Sequence, residues 1–166
     1  MIDNLGIYWF RQDLRLNDNL ALNSIVEKSD YIIPIYIVDE NFNLGGASKW
    51  WLHSSLRSLD ASLREKNSKL FFFKGDPKEI LKKLIYDYKI KSIYWNRLYD
   101  KLSIKRDTEI KNIFNSKDVE IVSFNGSLIN EPWTTKNKSG AFFKVFTPYW
   151  NKCLENIKPI KLLKSP

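Results

Sequence analysis

Short apolar runs alternate with segments of helical periodicity along most of the chain. The runs are rich in β-branched and aromatic side chains, as expected for strands that are buried on both faces of a parallel sheet. Between them, apolar residues recur at intervals of three and four, as the leucines from Leu52 to Leu63 do, which is typical of one buried helix face. The pattern predicts strands at residues 6–11, 31–38, 70–73, 92–95 and 119–124.

Residues that favour helix starts precede several of the periodic segments. Asp18, Ser48 and Asp76 can each serve as an N-cap, and Pro77 suits the first position of a helix. Helices are therefore expected after these positions, with further helices at 103–114 and 149–157.

Five strands separated by four helices predict an α/β fold. We expect a Rossmann-like, doubly wound, five-stranded parallel sheet of order 3-2-1-4-5 with helices on both faces. Pro34 has no backbone N–H to donate, so it should lie near a sheet edge or an irregularity. Ligands of such sheets bind outside the carboxyl ends of the strands, at the point where strand order reverses. This rule nominates residues 11–13, 38–41, 75–76 and 96–100.

Composition limits the chemistry that the chain can perform. Its 166 residues fit one domain, and no apolar run approaches the roughly 18 residues of a membrane helix. The start of the chain has no basic segment followed by an apolar stretch, so no secretory signal is evident. One cysteine, Cys153, excludes an internal disulfide framework, and one histidine, His53, leaves almost nothing from which to build a histidine metal centre or a Ser-His-Asp triad. We expect a cytoplasmic globular protein with no membrane partner, a surface or partly packed His53, and a largely buried Cys153.

Charge, aromatic content and missing motifs leave alternatives open. The net charge is +8, and residues 132–166 hold seven lysines and one glutamate, which fits a solvated tail or a contact with a polyanion. The 6 Trp, 8 Tyr and 10 Phe either fill the core or stack on a flat ligand. The charged turn from Arg11 to Asp18 is either a local ion-pair network or the rim of a site for an anionic ligand or a partner domain. Neither a G-x-G-x-x-G motif nor a phosphate-binding P-loop occurs, which removes the best support for NAD or ATP binding.

Specific motifs resemble those of one family. The segment WFRQDLRLNDNLAL, from Trp9 to Leu22, resembles the opening signature of the DNA photolyase and cryptochrome family. Further matches follow in register over essentially the whole chain, at WLHSSL (51–56, as in class I members), GDP (75–77), YWN (94–96), RD (106–107) and KVFTPYW (144–150). By these motifs the chain resembles the N-terminal antenna domain, of the photolyase α/β type, of a class I deoxyribodipyrimidine photolyase.

The resemblance implies a role in light harvesting. In this family the N-terminal domain binds an antenna chromophore, which passes excitation to FAD in a larger helical C-terminal domain that repairs cyclobutane pyrimidine dimers. The implied partners are that FAD-binding domain of the same protein and, through the full-length protein, damaged DNA. We expect residues 1–130 to be the antenna domain and residues 131–166 to begin the linker. The chain has no room for the helical domain, so the full-length protein would be the carbon–carbon lyase and this chain alone would be inactive.

The resemblance also implies a set of chromophore-binding residues, with no catalytic residue and no metal ligand among them. The arginines of the set would bind anionic ring oxygens, and its aromatic residues would form apolar walls. The set consists of Arg11, Tyr36, Val38, Asp39, Lys49, Trp50, Asn96, Asp100 and Arg106. Folate-binding members carry an Asn-Glu pair where this chain has Leu102 and Ser103, so a deazaflavin or a flavin is expected in preference to folate. Folate held in a different way, and no antenna at all, stay open as alternatives.

Two other functions remain open at this point. The chain can belong to a cryptochrome, which senses light without repairing DNA, or it can be a stand-alone nucleotide-binding module. If a helical partner domain is missing, some of the aromatic residues near the end of the chain should be exposed to solvent. These residues are Trp133, Phe142, Phe143, Phe146 and Trp150.

Overall fold

The structure is a computed structural model that describes residues 4–39, 44–114, 119–157 and 162–166. The chain forms two compact units, one comprising Met1–Gly126 with Leu163–Pro166 and the other Ser127–Leu162. The elements are β1 (Leu5–Phe10), α1 (Leu20–Lys28), β2 (Tyr31–Val38), α2 (Gly46–Arg64), β3 (Phe71–Lys74), α3 (Pro77–Tyr88), β4 (Ser92–Asn96), α4 (Lys101–Phe114), β5 (Glu120–Phe124) and α5 (Phe146–Asn156).

All strands of the sheet run parallel, in the order β3-β2-β1-β4-β5, which confirms the predicted fold and strand order. The central strand β1 places Tyr8 opposite Pro34 of β2 and opposite Tyr94 of β4. Pairing between β2 and β3 begins only at Ile35, so Pro34 lies just outside the paired stretch on that side. A residue without an N–H is tolerated there because β3 does not extend to it.

The sheet separates two hydrophobic cores, because successive side chains of a strand point to opposite faces. Ile7 and Trp9 of β1 pack with Leu81 and Leu84 of α3 and Ile110 of α4. On the other face, Tyr8 and Phe10 pack with residues of α1 and α2, among them Ala21, Ile25, Leu56, Leu59 and Leu63. Helices therefore cover both faces, as the alternating pattern predicts.

The helix starts agree only in part with the sequence-based expectations. Asp76 caps α3 by accepting a hydrogen bond from the Lys78 backbone N–H (2.8 Å), and Pro77 is the first residue of that helix, as predicted. The expectation for α1 is wrong by one residue, because Asn19 is the N-cap and accepts a hydrogen bond from the Leu22 N–H (3.2 Å). Asp18 instead adopts a positive φ of 49° in the preceding turn.

Three other helices begin before the predicted positions. One of them is α5, which starts at Phe146 and not at residue 149; the other two are α2 and α4. The helix α2 starts at Gly46, so Ser48 lies inside its first turn and does not cap it. The helix α4 starts at Lys101, because the Asp100 carboxylate accepts a hydrogen bond from the Ser103 N–H (2.9 Å). In both cases the apolar periodicity begins later than the helix, so it does not mark the true start.

The second unit contains α5 and many exposed apolar side chains. Cys153 is buried there, only 2% exposed, as expected from the sequence. The five aromatic residues expected to be partly exposed confirm that prediction: Trp133, Phe142, Phe146 and Trp150 are 46–71% exposed, and Phe143 is half-buried. The division of the chain at residue 130 stays a prediction.

Of the helices formed by the described residues, none combines the length and the hydrophobicity that crossing a bilayer requires. The same residues contain no cluster of three or more His, Cys, Asp or Glu side chains that could hold a metal ion. His53 is exposed on α2.

Candidate functional site

A cavity of about 810 Å³ opens at the carboxyl ends of β1 and β2. The loop that follows β1 forms one side of it, and the end of β2, with Tyr36, Ile37 and Asp39, forms another. The end of β1, the first turns of α2, Arg106 of α4, Leu44 and Leu98 also belong to the described lining. The cavity therefore lies at the sheet edge that the strand-end rule nominates.

The wall that α2 contributes is one face of that helix. Ala47, Ser48, Trp51, Leu52 and Ser55 line the cavity, at the spacing that places residues on the same side of an α-helix. The indole of Trp51 is the largest group of this wall, and the residue is 69% exposed. Across the cavity, Tyr36 is half-buried, and burial raises the pKa of its hydroxyl above the ordinary value.

Beneath the cavity, Arg11 is held by the protein itself. Its Nη1 donates to both carboxylate oxygens of Asp107, at 2.8 and 2.7 Å, and its Nε and Nη2 donate to the Asn96 carbonyl oxygen. The Arg11 side chain is only 4% exposed. Burial lowers the pKa of Arg11, and the charge of Asp107 opposes that shift. Most of the hydrogen-bonding capacity of this guanidinium is thus used within the fold.

Arg106 occupies a different position, with part of its guanidinium still available. Its Nε and Nη2 donate to one oxygen of Asp107, both at 3.3 Å, and its Nη1 donates to Asp39 at 3.1 Å. These bonds use three of the five N–H donors that a guanidinium carries. Arg106 also lies over the Trp9 ring, 5.0 Å from its centroid. The side chain is therefore fixed in place while it retains donors for a ligand.

A second polar network holds the loop between β1 and α1. The hydroxyl of Tyr8 and the Nδ2 of Asn96 donate to the Asp13 carboxylate, at 2.9 and 2.6 Å. Asn96 also donates to Asn19 (2.9 Å), and Arg15 donates to the carbonyl oxygens of Asp18 and Gly126. Burial, and then the charge of Asp13, raise the pKa of Tyr8 well above its ordinary value. These contacts favour the interpretation of the charged turn as a local network.

Comparisons with known proteins point to one family. The family model described as DNA photolyase matches residues 6–166. The chain belongs to the DNA photolyase family. A deoxyribodipyrimidine photo-lyase of Agrobacterium fabrum is 41% identical over 145 residues, which cover 87% of this chain and 30% of that protein. Cryptochrome-1 of Arabidopsis thaliana is 33% identical over 154 residues, covering 90% of this chain and 22% of that protein. The chain thus spans less than a third of the length of these photolyase-family relatives.

Solved structures of the photolyase family share the fold. A bacterial class III photolyase from Agrobacterium tumefaciens superposes with a TM-score of 0.91 at 37% identity, covering 98% of this chain and 34% of that one. An archaeal photolyase from Sulfolobus tokodaii gives 0.78 at 26% identity, covering 96% and 36%. The latter was solved with two FAD molecules and is described as implying a novel light-harvesting cofactor. The expectation of class I membership stays a prediction.

The structure brings together four of the residues that the photolyase resemblance implies for the site. Arg11, Tyr36, Asp39 and Arg106 all line the cavity. Whether they bind a chromophore stays a prediction, and for Arg11 the geometry leaves little capacity to do so.

The other five residues of that set do not belong to the described lining of the cavity. Lys49 and Trp50 lie on α2 but outside the face formed by its lining residues. At about 100° per residue, that face covers about 140° of the helix, and both residues lie about 130° from its centre. Val38 is 42% exposed at the end of β2. Asn96 is buried in the polar network beneath the loop, and Asp100 caps α4.

The sequence-based set lacks two residues that the structure brings to this site. Trp51 forms the aromatic part of the wall, and Asp107 binds both arginines. For Trp51 the sequence carries a signal, because residues 47, 48, 51, 52 and 55 have the spacing of one helix face. No sequence pattern identifies the partners of Asp107.

Proposed function

We propose that this chain is the antenna domain of a DNA photolyase. The observation that carries the proposal is the cavity of about 810 Å³, in which an exposed tryptophan and a fixed arginine face the same space. Pockets for flat cofactors combine apolar or aromatic walls with a few placed polar groups, and this lining has that composition.

The residues present fit a planar heterocycle with acceptor groups at its edge. Trp51 and Tyr36 would contact the ring, Arg106 would donate to a ring oxygen, and Asp39 would accept from a ring or sugar donor. Such a chromophore would absorb near-ultraviolet or blue light and supply its excitation energy to a second, redox-active pigment. The chain would bind it, orient it and keep water from one of its faces.

A deazaflavin or a flavin is the chromophore that we propose, in preference to folate. Leu102 and Ser103 stand where folate-binding members carry an Asn-Glu pair, and Ser103 is fully buried. The Sulfolobus tokodaii photolyase, which was solved with two FAD molecules, supports a flavin in this role.

The excitation acceptor would be FAD in a C-terminal domain of the same protein, which would act on pyrimidine dimers in DNA. The length of the relatives and the exposed aromatic residues of α5 support such a partner domain. A cryptochrome is the alternative, supported by the 33% identity to Arabidopsis cryptochrome-1. Light-dependent repair of dimer-containing DNA by the full-length protein separates the two, since a cryptochrome would leave the dimers intact.

The chromophore proposal is tested by titrating the chain with a deazaflavin, FMN and folate while absorbance and fluorescence are recorded. Trp50 and Trp51 provide a matched pair of variants, since both are 69% exposed and only Trp51 lines the cavity. Trp51→Ala should weaken binding at least about tenfold, since an aromatic contact with the ring and its buried area are lost. Trp50→Ala should bind as the unmodified chain does.

Arg106→Gln should weaken binding by about 1–3 kcal/mol if its remaining donors bond the ring. The proposal fails if none of the three compounds binds. Equal losses in the two tryptophan variants would show that the chromophore lies elsewhere, and tight binding of folate alone would refute the choice of ring.

A further inference from the structure

Asp107 lies directly behind the cavity and makes no described contact with its interior. The residue is 8% exposed and does not belong to the cavity's described lining, whereas both arginines that it binds do. Its Oδ1 accepts hydrogen bonds from Arg11 and Arg106, and its Oδ2 accepts from Arg11 and from the Trp95 indole N–H (3.1 Å). Three side chains from three elements therefore meet at one carboxylate.

Asp107 balances part of the positive charge of the two arginines that contact it. Arg11 and Arg106 carry two positive charges, and Asp39 and Asp107 balance them, with Arg106 in contact with both carboxylates. Among the described residues, the Arg11 guanidinium donates to Asp107 and to the Asn96 carbonyl oxygen, so loss of the Asp107 charge would leave this buried cation without its ion-pair partner. Buried charges that lose a partner are costly, and their side chains rearrange in response.

The contacts of Arg106 indicate that Asp107 controls the orientation of its guanidinium. Two bonds from Asp107 hold the Nε and Nη2 edge of the guanidinium, and Asp39 holds Nη1. With both carboxylates in place, the guanidinium stays over the Trp9 ring and its remaining N–H groups keep a fixed direction. Loss of Asp107 would leave Arg106 attached to Asp39 alone and free to rotate about that contact.

We propose that Asp107 is the positioning residue of this cavity, which acts through Arg106 and sets the direction in which Arg106 donates to a bound ring. The proposal rests on the proposed chromophore-binding function and extends it to a residue that no ligand would touch. It also separates the two arginines, since Arg11 anchors the loop and Arg106 serves the cavity.

The first test is a double-mutant cycle on FMN affinity with Asp107→Asn and Arg106→Gln. Asp107→Asn should weaken FMN binding about tenfold or more, although Asp107 is not in the wall, because a charge-assisted contact is misdirected. In the Arg106→Gln background the same substitution should have little further effect. A merely structural role would give additive losses in the two backgrounds and would overturn the proposal.

A second measurement needs no ligand. The Nε–H group of Arg106 should exchange slowly with solvent in the unmodified chain, as followed by NMR, and at least tenfold faster in Asp107→Asn. The Nε–H of Arg64, which bonds Asp60 at 2.7 Å on α2, serves as the internal reference. Unchanged exchange at Arg106 would overturn the proposal.

Glu109→Gln is the matched control. Glu109 lies on α4, as Asp107 does, and its replacement removes an ion pair with Lys78 of α3 (3.0 Å) but leaves the cavity lining intact. It should alter neither FMN affinity nor exchange at Arg106. If Asp107→Asn does not fold, Asp107→Glu keeps the charge and displaces the carboxylate, and the same losses are expected. If no chromophore binds the unmodified chain, the proposed function fails while the exchange measurement still decides whether Asp107 holds Arg106.

Discussion

The guanidinium of Arg11 and the carboxylate of Asp107 lie 96 positions apart in the sequence and 2.7 Å apart in the interior. This pair joins the loop after β1 to α4, and the Asn96 carbonyl joins the same guanidinium to β4. One arginine thus ties three elements together at the carboxyl edge of the sheet. Two separate motifs of the sequence, WFR and RD, meet at this contact.

Arg11→Ala should lower the free energy of unfolding, because Arg11 mainly holds the fold together. It would leave Asp107 without its closest cation in a buried setting, which costs about 3–5 kcal/mol for such pairs. Urea denaturation followed by circular dichroism measures the loss of unfolding free energy. Arg64→Ala, which breaks the exposed pair with Asp60, is the control and should cost far less. Equal losses in the two variants would contradict a structural role for Arg11.

Gly126→Ala should also destabilise the chain, through a steric clash. A Cβ at position 126 would lie 2.4 Å from the Asn96 Cγ, and Asn96 is fixed by Asp13 and Asn19. Overpacking of this kind costs about 1–3 kcal/mol, so the thermal midpoint should fall by several degrees. At Gly46 nothing lies within 4 Å of the added Cβ, so Gly46→Ala should leave the midpoint unchanged or raise it. A midpoint unchanged in Gly126→Ala would mean that Asn96 can move.

The stability of the chain should depend on Glu120 at acid pH. A hydrogen bond from Tyr94, and then one from Lys28, lower the pKa of Glu120 below its ordinary value of 4.5. A carboxyl group with a lowered pKa stabilises the fold above the unfolded value, and this contribution is lost as the pH falls through the folded value. Urea midpoints recorded from pH 6 downward should therefore fall more steeply in the unmodified chain than in Glu120→Gln.

Tyr94→Phe provides the check on the cause of that slope, because it removes the 2.7 Å hydrogen bond and keeps the ring. The dependence of its urea midpoint on pH should be less steep than in the unmodified chain and steeper than in Glu120→Gln. Parallel curves for all three proteins would rule out a contribution from this group.

The exposed aromatic residues of α5 should bind a hydrophobic dye in the chain as it stands. Phe146 and Trp150 stack at 6.2 Å with their planes nearly parallel, and they are 71% and 46% exposed. Phe146→Ser should reduce the fluorescence of bound anilinonaphthalene sulfonate with little change in the thermal midpoint, since little buried area is lost. Cys153→Ser, a change at a buried position of the same helix, should lower the midpoint instead. A large drop in the midpoint of Phe146→Ser would show that this surface is part of the fold.

The sequence predicted the sheet well because its strands are short apolar runs, of which β1 and β4 are buried on both faces. Runs such as YIIPIYIV at Tyr31–Val38 match the observed strand at both ends. Helix starts were less predictable, since both Asp18 and Asn19 are good caps and only the backbone of the preceding turn decides between them.

The position of the cavity was easier to predict than the residues that line it. The strand ends located the cavity, whereas the choice between Trp50 and Trp51 depends on how α2 is rotated against the sheet. That rotation follows from the packing of Leu56, Leu59 and Leu63, and each of these lies beyond the residues that form the wall. The partners of Arg11 could not be predicted either, because residue types do not reveal which carboxylate is brought near by the fold.

The cavity is lined by one face of α2 and by an anchored loop after β1, and these two parts differ in how freely their residues can be substituted. The loop is anchored by Asn96 and Asp107, while Ala47, Ser48, Trp51 and Ser55 reach the cavity without belonging to the buried cores. Substitutions at these four positions would reshape the space for a pigment and spare the scaffold beneath. Under the proposed antenna function, a library randomised at this helix face would change the absorption of the bound pigment and leave the rest of the fold as it is.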